Sequence, residues 1–284
     1  MSPTRRRYFN AEGIVVRARD LGEADRIVIL FTPNLGLLSC VARGARRTTS
    51  RTGGHVDLLR HITAHVSEGR SDLHTLSQVE TINAYLGLRR DLDRLSIASH
   101  FAEMCERFSL PNAANPNLFA LLRDTLTHTE TTAKPILPLL RLWHETTLLT
   151  TVGLQPQLHR CVRTNNEIPP GDHWFSPSEG GLIMRPDQLQ TANNTATPDP
   201  IAYQPNPEDQ TNPQTVPIVP APLNTIKLLR HITRTPDWTR IQNLRVDDRD
   251  VEAGLKLTGA MLRYQQERGV GRAERVMGEV GFEC

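Results

Sequence analysis

Ten arginines and no lysine fall within residues 1–51, at positions 5, 6, 7, 17, 19, 26, 43, 46, 47 and 51. Only four acids accompany them, Glu12, Asp20, Glu23 and Asp25, for a local balance of +6. The 284-residue chain carries +2 in total, which leaves −4 for the remainder. The densest run is Arg43-Gly44-Ala45-Arg46-Arg47-Thr48-Thr49-Ser50-Arg51. A guanidinium fork matches phosphate oxygens, and Ser and Thr hydroxyls add hydrogen bonds. Gly44, Gly53 and Gly54 leave the backbone free to approach a ligand or to stay mobile. The chemistry this pattern supports is contact with a polyanion through Arg17, Arg19, Arg26, Arg43, Arg46, Arg47 and Arg51. The plain alternative is a solvated basic loop that binds nothing.

Other chemistry is poorly represented. The first 80 residues contain only Tyr8, Phe9 and Phe31 as aromatics. Proteins that stack the bases of single strands use several exposed rings. Phe31 shares a face with Ile27 and Ile29 and reads as core, so binding here is expected to be electrostatic, sequence-independent and salt-sensitive. The chain contains no GxxxxGK[ST], GxSxG or HExxH motif. Gly69-Arg70-Ser71-Asp72 reads as a hairpin turn rather than a phosphate loop. Glu12 and Glu23 read as surface ion-pair partners of the arginine-rich strands rather than as acids or bases. No enzymatic activity is expected. Cys40, Cys105, Cys161 and Cys284 are scattered, with no CxxC pair, as in a reducing compartment. His159, Cys161 and His173 lack the second ligand pair of a zinc site, so no metal or other cofactor is expected.

The elements that must position these residues follow from periodicity. Alternation or β-branched density marks strands at Glu12–Arg19, Asp25–Phe31, Leu37–Arg43, Val56–Val66 and Leu73–Ile82, with Pro33-Asn34-Leu35-Gly36 as a turn. In the first strand Ile14, Val16 and Ala18 fall on one face, and Val15, Arg17 and Arg19 on the other. Five short strands in about 70 residues suggest a small barrel or sandwich, and the count is that of an OB-fold. From Asp91 the period changes to near 3.6: Leu92, Leu95, Ala98, Phe101, Ala102, Cys105 and Phe108 recur at helical spacing. Helices are also expected at Asn117–His128, Ile136–Thr151, Leu223–Arg234 and Asp247–Arg268. Asp247, Asp248 and Asp250 complement the dipole at the start of the last. Residues 188–222 are rich in Asn, Gln, Thr and Pro and read as a mobile loop. A hydrophobic content of 38 % and a charged content of 23 % fit a globular chain. No run approaches the roughly 18 apolar residues of a membrane helix, no apolar segment follows Arg5–Arg7, and a cytoplasmic location is expected.

Three blocks carry a resemblance: Glu12-Gly13-Ile14-Val15-Val16-Arg17, then Leu21-Gly22-Glu23-Ala24-Asp25-Arg26-Ile27-Val28, then Val41-Ala42-Arg43-Gly44-Ala45-Arg46-Arg47. In order and spacing they resemble the opening of the RecO family of bacterial recombination mediators. The resemblance returns at Val152–Cys161, Phe175-Ser176-Pro177 and Gly180-Gly181-Leu182. It implies an N-terminal OB-fold and a helical C-terminal domain. It implies binding to single- and double-stranded DNA, annealing of complementary strands and action at the nucleoid. It also implies partnership with RecR and with the acidic C-terminal tail of single-strand-binding protein, so that RecA loads on coated DNA. Many members carry a four-cysteine zinc module. Here Cys161 stands at the first cysteine position, and Thr164, Met184 and Asp187 at the other three, so the module is degenerate. The region is expected to be held by packing around Trp174 and Phe175, or to be partly mobile.

The expected architecture is α+β. Residues 1–82 form a five-stranded OB-fold DNA-binding domain. Residues 83–284 form an α-helical domain that includes the degenerate zinc-module region 155–187 and the loop 188–222. Arg123, Arg141 and Arg160 are candidate rim residues for the acidic tail. Two other classes remain open: an OB-fold RNA-binding protein, and an adaptor whose basic loop contacts an acidic protein.

Overall fold

A computed structural model of the chain describes residues 8–69, 73–184 and 217–279, with side chains through Glu267 in the last helix. The expected loop 188–222 therefore lies almost wholly outside the described residues, as do Arg5–Arg7, Asp187, Cys284 and most of the turn at 69–72. The chain divides into two compact units, Met1–Leu137 and Pro138–Cys284.

The first unit is built on a closed barrel. Its strands are β1 (Tyr8–Leu21), β2 (Asp25–Thr32), β3 (Gly36–Ala42), β4 (His61–Ser67) and β5 (Leu73–Asn83). The order is β1-β2-β3-β5-β4, with β4 closing back on β1. All pairs are antiparallel except β3 with β5. This is the five-stranded barrel expected of an OB-fold. The interior is filled by small and β-branched side chains, among them Ala11, Val15, Val28, Leu30, Leu38, Cys40, Ile62, Ala64, Val66 and Leu76. Burial pushes the Cys40 thiol up to about 12, which leaves it a plain core residue.

Two features differ from the sequence pattern. In β1 the register shifts between Val15 and Arg17, where Val15 opposes Leu30 but Arg17 opposes Ile29. Val16 is thus the extra residue of a β-bulge, and the bulge reverses the alternation beyond it. Val15 joins the barrel core with Ala18 packed against it, while Ile14 and Val16 are buried elsewhere. Arg17 and Arg19 remain on the outer face. Secondly, the fourth strand starts at His61, not at Val56, and Gly53–His55 forms a turn of 3-10 helix. The apolar residues that imitate a strand there belong to a loop instead. Val56 belongs to the barrel core, and Leu59, at φ 66°, is buried while its N–H donates to Val15 O at 2.8 Å.

Helices α1 (Leu86–Arg89), α2 (Leu92–Arg107) and α3 (Pro116–Thr131) complete this unit. Asp91 caps α2 by accepting from the N–H groups of Asp93 and Arg94, and Asn115 caps α3 ahead of Pro116. The buried ring of Phe31 lies 5.9 Å from that of Phe119, so Phe31 is core between barrel and helix rather than inside the barrel. The β2–β3 turn needs its glycine: Gly36 has φ 63°, and a Cβ there would meet Leu110 O at 2.1 Å.

The second unit contains α4 (Leu137–Thr151), which begins at the boundary, and a sheet ordered β7-β6-β8 from β6 (His173–Ser176), β7 (Gly181–Ile183) and β8 (Val219–Ala221). Helices α5 (Leu223–Arg234), α6 (Trp238–Ile241) and α7 (Asp248–Glu279) follow. Trp143 packs on Trp238 with ring centres 5.6 Å apart and donates to Pro236 O. Glu145 is fully buried and accepts from Arg141 Nε and the Thr258 hydroxyl. Two charge-assisted hydrogen bonds are what a carboxylate needs at that depth.

Glu12 pairs with a histidine rather than an arginine. Its carboxylate lies 2.9 Å from Nε2 of buried His61, whose ring meets Phe119 edge-on at 5.7 Å. Burial holds the His61 imidazole below its ordinary value, while Glu12 pulls it up and Arg123 pushes it down. A histidine depressed in this way stabilises the fold above its unfolded value of about 6.5. That contribution is lost as pH falls toward the lower folded value. His61→Phe keeps the ring and removes the titration. The drop in Tm between about pH 7.5 and about pH 5.5 should therefore be smaller in His61→Phe than in the wild type. Parallel Tm curves would show that the imidazole titrates normally.

Candidate nucleic-acid interface

The residues between β3 and β4 carry the basic run, and their backbone is tied down at several points. Gly44, at φ 65°, donates its N–H to Asp25 Oδ1 at 2.8 Å, and the Arg46 N–H donates to Ala24 O at 2.9 Å. Farther along, the Ser50 hydroxyl accepts from the N–H groups of Thr52 and Gly53. Ala45 and Val56 anchor the loop in the barrel core. The tether needs a glycine at position 53, where a Cβ would come within 2.1 Å of Ala45 O. With its apolar residues turned inward, the loop leaves Arg43, Arg46, Arg47, Thr48, Thr49 and Arg51 exposed.

Strand register places further arginines on the outer face of the barrel. Arg17 opposes Ile29, which opposes Ser39, and Arg19 opposes Ile27, which opposes Val41. The face therefore carries two half-buried isoleucines beside two cations.

The seven candidate arginines are not equivalent. Arg26 pairs with Asp20 at 3.3 Å and with Asp57 at 2.8 Å. Arg46 pairs with Asp20 at 3.2 Å and donates from Nη1 to Gly22 O at 2.6 Å. Asp57 also faces Arg89 at 3.9 Å. These groups form one chain, Arg46–Asp20–Arg26–Asp57–Arg89, in which two carboxylates hold three guanidinium groups. Arg17 pairs with Glu106 of α2 at 3.1 Å. Arg19, Arg43, Arg47 and Arg51 are exposed and have no side-chain partner among the described residues. The sequence reading counts Asp20 and Asp25 among the acids of the basic segment without giving them a role, and it does not single out Asp57. Asp25 was within reach, since it stands in the turn block Leu21–Arg26. Nothing near Asp57 in the chain points to its role.

The segment that the sequence reading compares with a zinc module is held by local hydrogen bonds. Cys161 N–H donates to Asn166 O, Val162 N–H donates to Leu182 O, and Arg163 grips Glu179 with hydrogen bonds from Nε and Nη2. Phe175 is buried as expected, but Trp174, its neighbour on β6, is 38 % exposed, so only Phe175 packs inward. Burial pushes the Cys161 thiol up, yet hydrogen bonds from the Thr164 hydroxyl and from the N–H groups of Met184, Thr164 and Arg163 bring it below its ordinary value. A thiol, a hydroxyl and a thioether are not the donor set of a structural zinc site, and these residues do not fit the ion. Among the described residues no group of three His, Cys, Asp or Glu could hold a metal.

Glu106 shows what the Arg17 pair does. Burial pushes its carboxyl up, and Arg17 is the main group pulling it back down. Arg17→Ala should leave that carboxyl short of a partner and lower stability by up to about 1 kcal/mol, the ceiling for a pair whose cation is largely exposed. Chemical denaturation checks this, and an unchanged midpoint would show that the pair is not stabilising.

Comparison with known proteins identifies both halves of the chain. The model of the recombination protein O N-terminal region matches residues 6–85, and that of the C-terminal region matches residues 89–273. A DNA repair protein RecO from Dehalococcoides mccartyi is 30 % identical over 261 residues, which is 92 % of this chain and 91 % of that protein. One from Synechococcus elongatus is 34 % identical over 80 % of this chain and 88 % of its own. One from Roseiflexus is 36 % identical over 63 % of this chain and 62 % of its own. With both halves matched in order, and with the barrel that the N-terminal half implies, the chain belongs to the RecO family of DNA repair proteins.

Proposed function

We propose that this protein is a non-enzymatic recombination mediator. It binds single- and double-stranded DNA through the barrel, anneals complementary strands and, with RecR, helps RecA to load on strands coated by single-strand-binding protein. The observation that supports this reading best is the set of exposed arginines without a carboxylate partner among the described residues, Arg19, Arg43, Arg47 and Arg51, on the barrel and its long loop. Free guanidinium groups exchange only water and counterions when they meet a phosphate, and that release drives salt-dependent binding. Arg17, Arg26 and Arg46 complete the proposed surface, but each must share its charge between a carboxylate and the DNA. The exposed face offers isoleucines rather than rings, so it favours the backbone over the bases.

Annealing follows from the same electrostatics. A basic surface that neutralises two backbones at once lowers the repulsion that keeps complementary strands apart. No bond is made or broken, so no active site is required. The acidic C-terminal tail of single-strand-binding protein needs an apolar groove with a basic rim, and we assign that role to the helical part of the chain. Of the rim candidates, Arg141 is committed to Glu145 and Arg123 pairs with Asp124, while among the described residues the Arg160 side chain donates to the Asn165 carbonyl and meets no carboxylate. No helix among the described residues is long and apolar enough to cross a membrane. The proposed site of action is the nucleoid in the cytoplasm.

The test is fluorescence anisotropy of a labelled single-stranded oligonucleotide across a salt series, with the wild type and an Arg43/Arg46/Arg47/Arg51→Ala variant. Loss of four phosphate contacts should flatten the plot of log K against log salt by roughly 3, at about 0.7 per contact. A variant that binds like the wild type would place DNA elsewhere on the molecule. No binding by either protein at low salt would favour an adaptor that meets an acidic protein. A preference for structured RNA, with no response to single-strand-binding protein, would favour an RNA-binding role.

A further inference from the structure

The turn between β1 and β2 and the start of the basic loop are held to each other by four contacts. Asp25 Oδ1 accepts from the Gly44 N–H at 2.8 Å. Ala24 O accepts from the Arg46 N–H at 2.9 Å. Gly22 O accepts from Arg46 Nη1 at 2.6 Å, and Asp20 pairs with Arg46 Nε at 3.2 Å. Three of the four acceptors lie within the short span Gly22–Asp25. The first contact is at the base of the loop. It falls just past the last β2–β3 pair, Arg26 with Ala42, where the chain leaves the sheet. Gly44 turns there with φ 65°, and its N–H would otherwise have lost its ladder partner.

We infer that Asp25 is a positioning residue for nucleic-acid binding: its carboxylate fixes the departure of the basic loop from β3 and so aims Arg43 and Arg47 outward. Two observations separate this role from that of an ordinary surface acid. The Asp25 oxygen binds a backbone amide, not an arginine, so it neutralises none of the candidate contacts. The contact also links elements 19 residues apart, so it constrains the loop as a whole rather than one side chain. The nearby acids act differently. Asp20 and Asp57 hold arginine side chains and withdraw charge from the surface. An acid beside a polyanion site opposes binding through its charge. Asp25 therefore works against affinity by charge and for it by geometry, and the two effects separate by substitution. A loop held in its binding shape loses less conformational freedom when DNA arrives.

Because the role of Asp25 presupposes DNA binding by the loop, the test has one readout with DNA and one without. Asp25→Asn keeps the oxygen acceptor and removes the charge. Asp25→Glu keeps the charge and moves the acceptor by one methylene. Both are compared with the full-length wild type by anisotropy with a single-stranded oligonucleotide at low salt, and by amide hydrogen exchange of residues 43–47 in the free protein. Asp25→Asn should bind at least as tightly as the wild type with unchanged exchange. Asp25→Glu should bind about tenfold more weakly, on the order of one lost charge-assisted contact, with faster exchange at Gly44 and Arg46. If charge alone mattered, Asp25→Glu would match the wild type in affinity, and that result overturns the proposal. Faster exchange with unchanged affinity overturns it as well, because loop order would then not serve binding. If the wild type itself fails to bind DNA, the functional reading falls, while exchange still shows whether Asp25 orders the loop.

Discussion

Strand β1 has to serve two neighbours in turn. Residues Tyr8–Ile14 pair with β4, and Ile14–Leu21 pair with β2, so the barrel closes only if one strand bends from one partner to the other. The bulge at Val16 is where it does so. A bulge adds local twist and leaves one residue outside the ladder, which lets a short barrel close without breaking many hydrogen bonds. The consequences run through the rest of the first unit. Val15 and Ala18 end up on the barrel side, Ile14 and Val16 are buried outside that core, and Arg17 and Arg19 point outward beside Ile29 and Ile27. Had β1 run straight, its alternation would have put Val15 on the same face as the two arginines.

The arginine-rich surface is shaped as much by its acids as by its bases. A surface ion pair contributes little stability, but it fixes where a guanidinium points and how much field it projects. Asp20 and Asp57 line up Arg46, Arg26 and Arg89 into one chain, and Glu106 takes Arg17. Among the described residues no carboxylate reaches Arg19, Arg43, Arg47 or Arg51, which are the ones left to the proposed DNA contact. The basic surface is thus a frame of paired arginines carrying others that are unpaired among the described residues, and the loop between β3 and β4 is anchored at its base by the β1–β2 turn. The second unit uses charge in the opposite way. Glu145 is removed from water and its charge is consumed internally by Arg141, with Thr258 as a second donor.

The barrel was legible because its signals are local. β-branched alternation, the Pro33–Gly36 turn and the change of period near Asp91 each occupy a few consecutive residues, and each corresponds to an element boundary or nearly so. The sequence pattern starts β4 too early because Val56 and Leu59 have the right hydrophobicity for a strand but are buried from the loop that precedes it. Burial explains apolar residues in either conformation, so composition cannot separate the two. The bulge in β1 was invisible for a different reason. Val16 is as good a strand residue as its neighbours, and only closure of the barrel singles it out. In the second unit, Phe175 and Trp174 looked alike as anchors, yet adjacent positions on one strand face opposite ways, so only one could be buried.

The amino-acid sequence alone determined the family, the alternation of strands and helices, the concentration of arginine in the first 51 residues and the absence of any recognisable catalytic motif. These are properties of residue type and short spacing. Only the tertiary structure decided which arginines are free. Arg26 finds Asp57 31 residues away, and Arg17 finds Glu106 89 residues away. An ion pair forms where two charges come within a few ångströms, and the energy falls with distance through space, not along the chain. Residue type could place positive charge at this end of the molecule. How much of it stays exposed depends on where the folded backbone carries the acids.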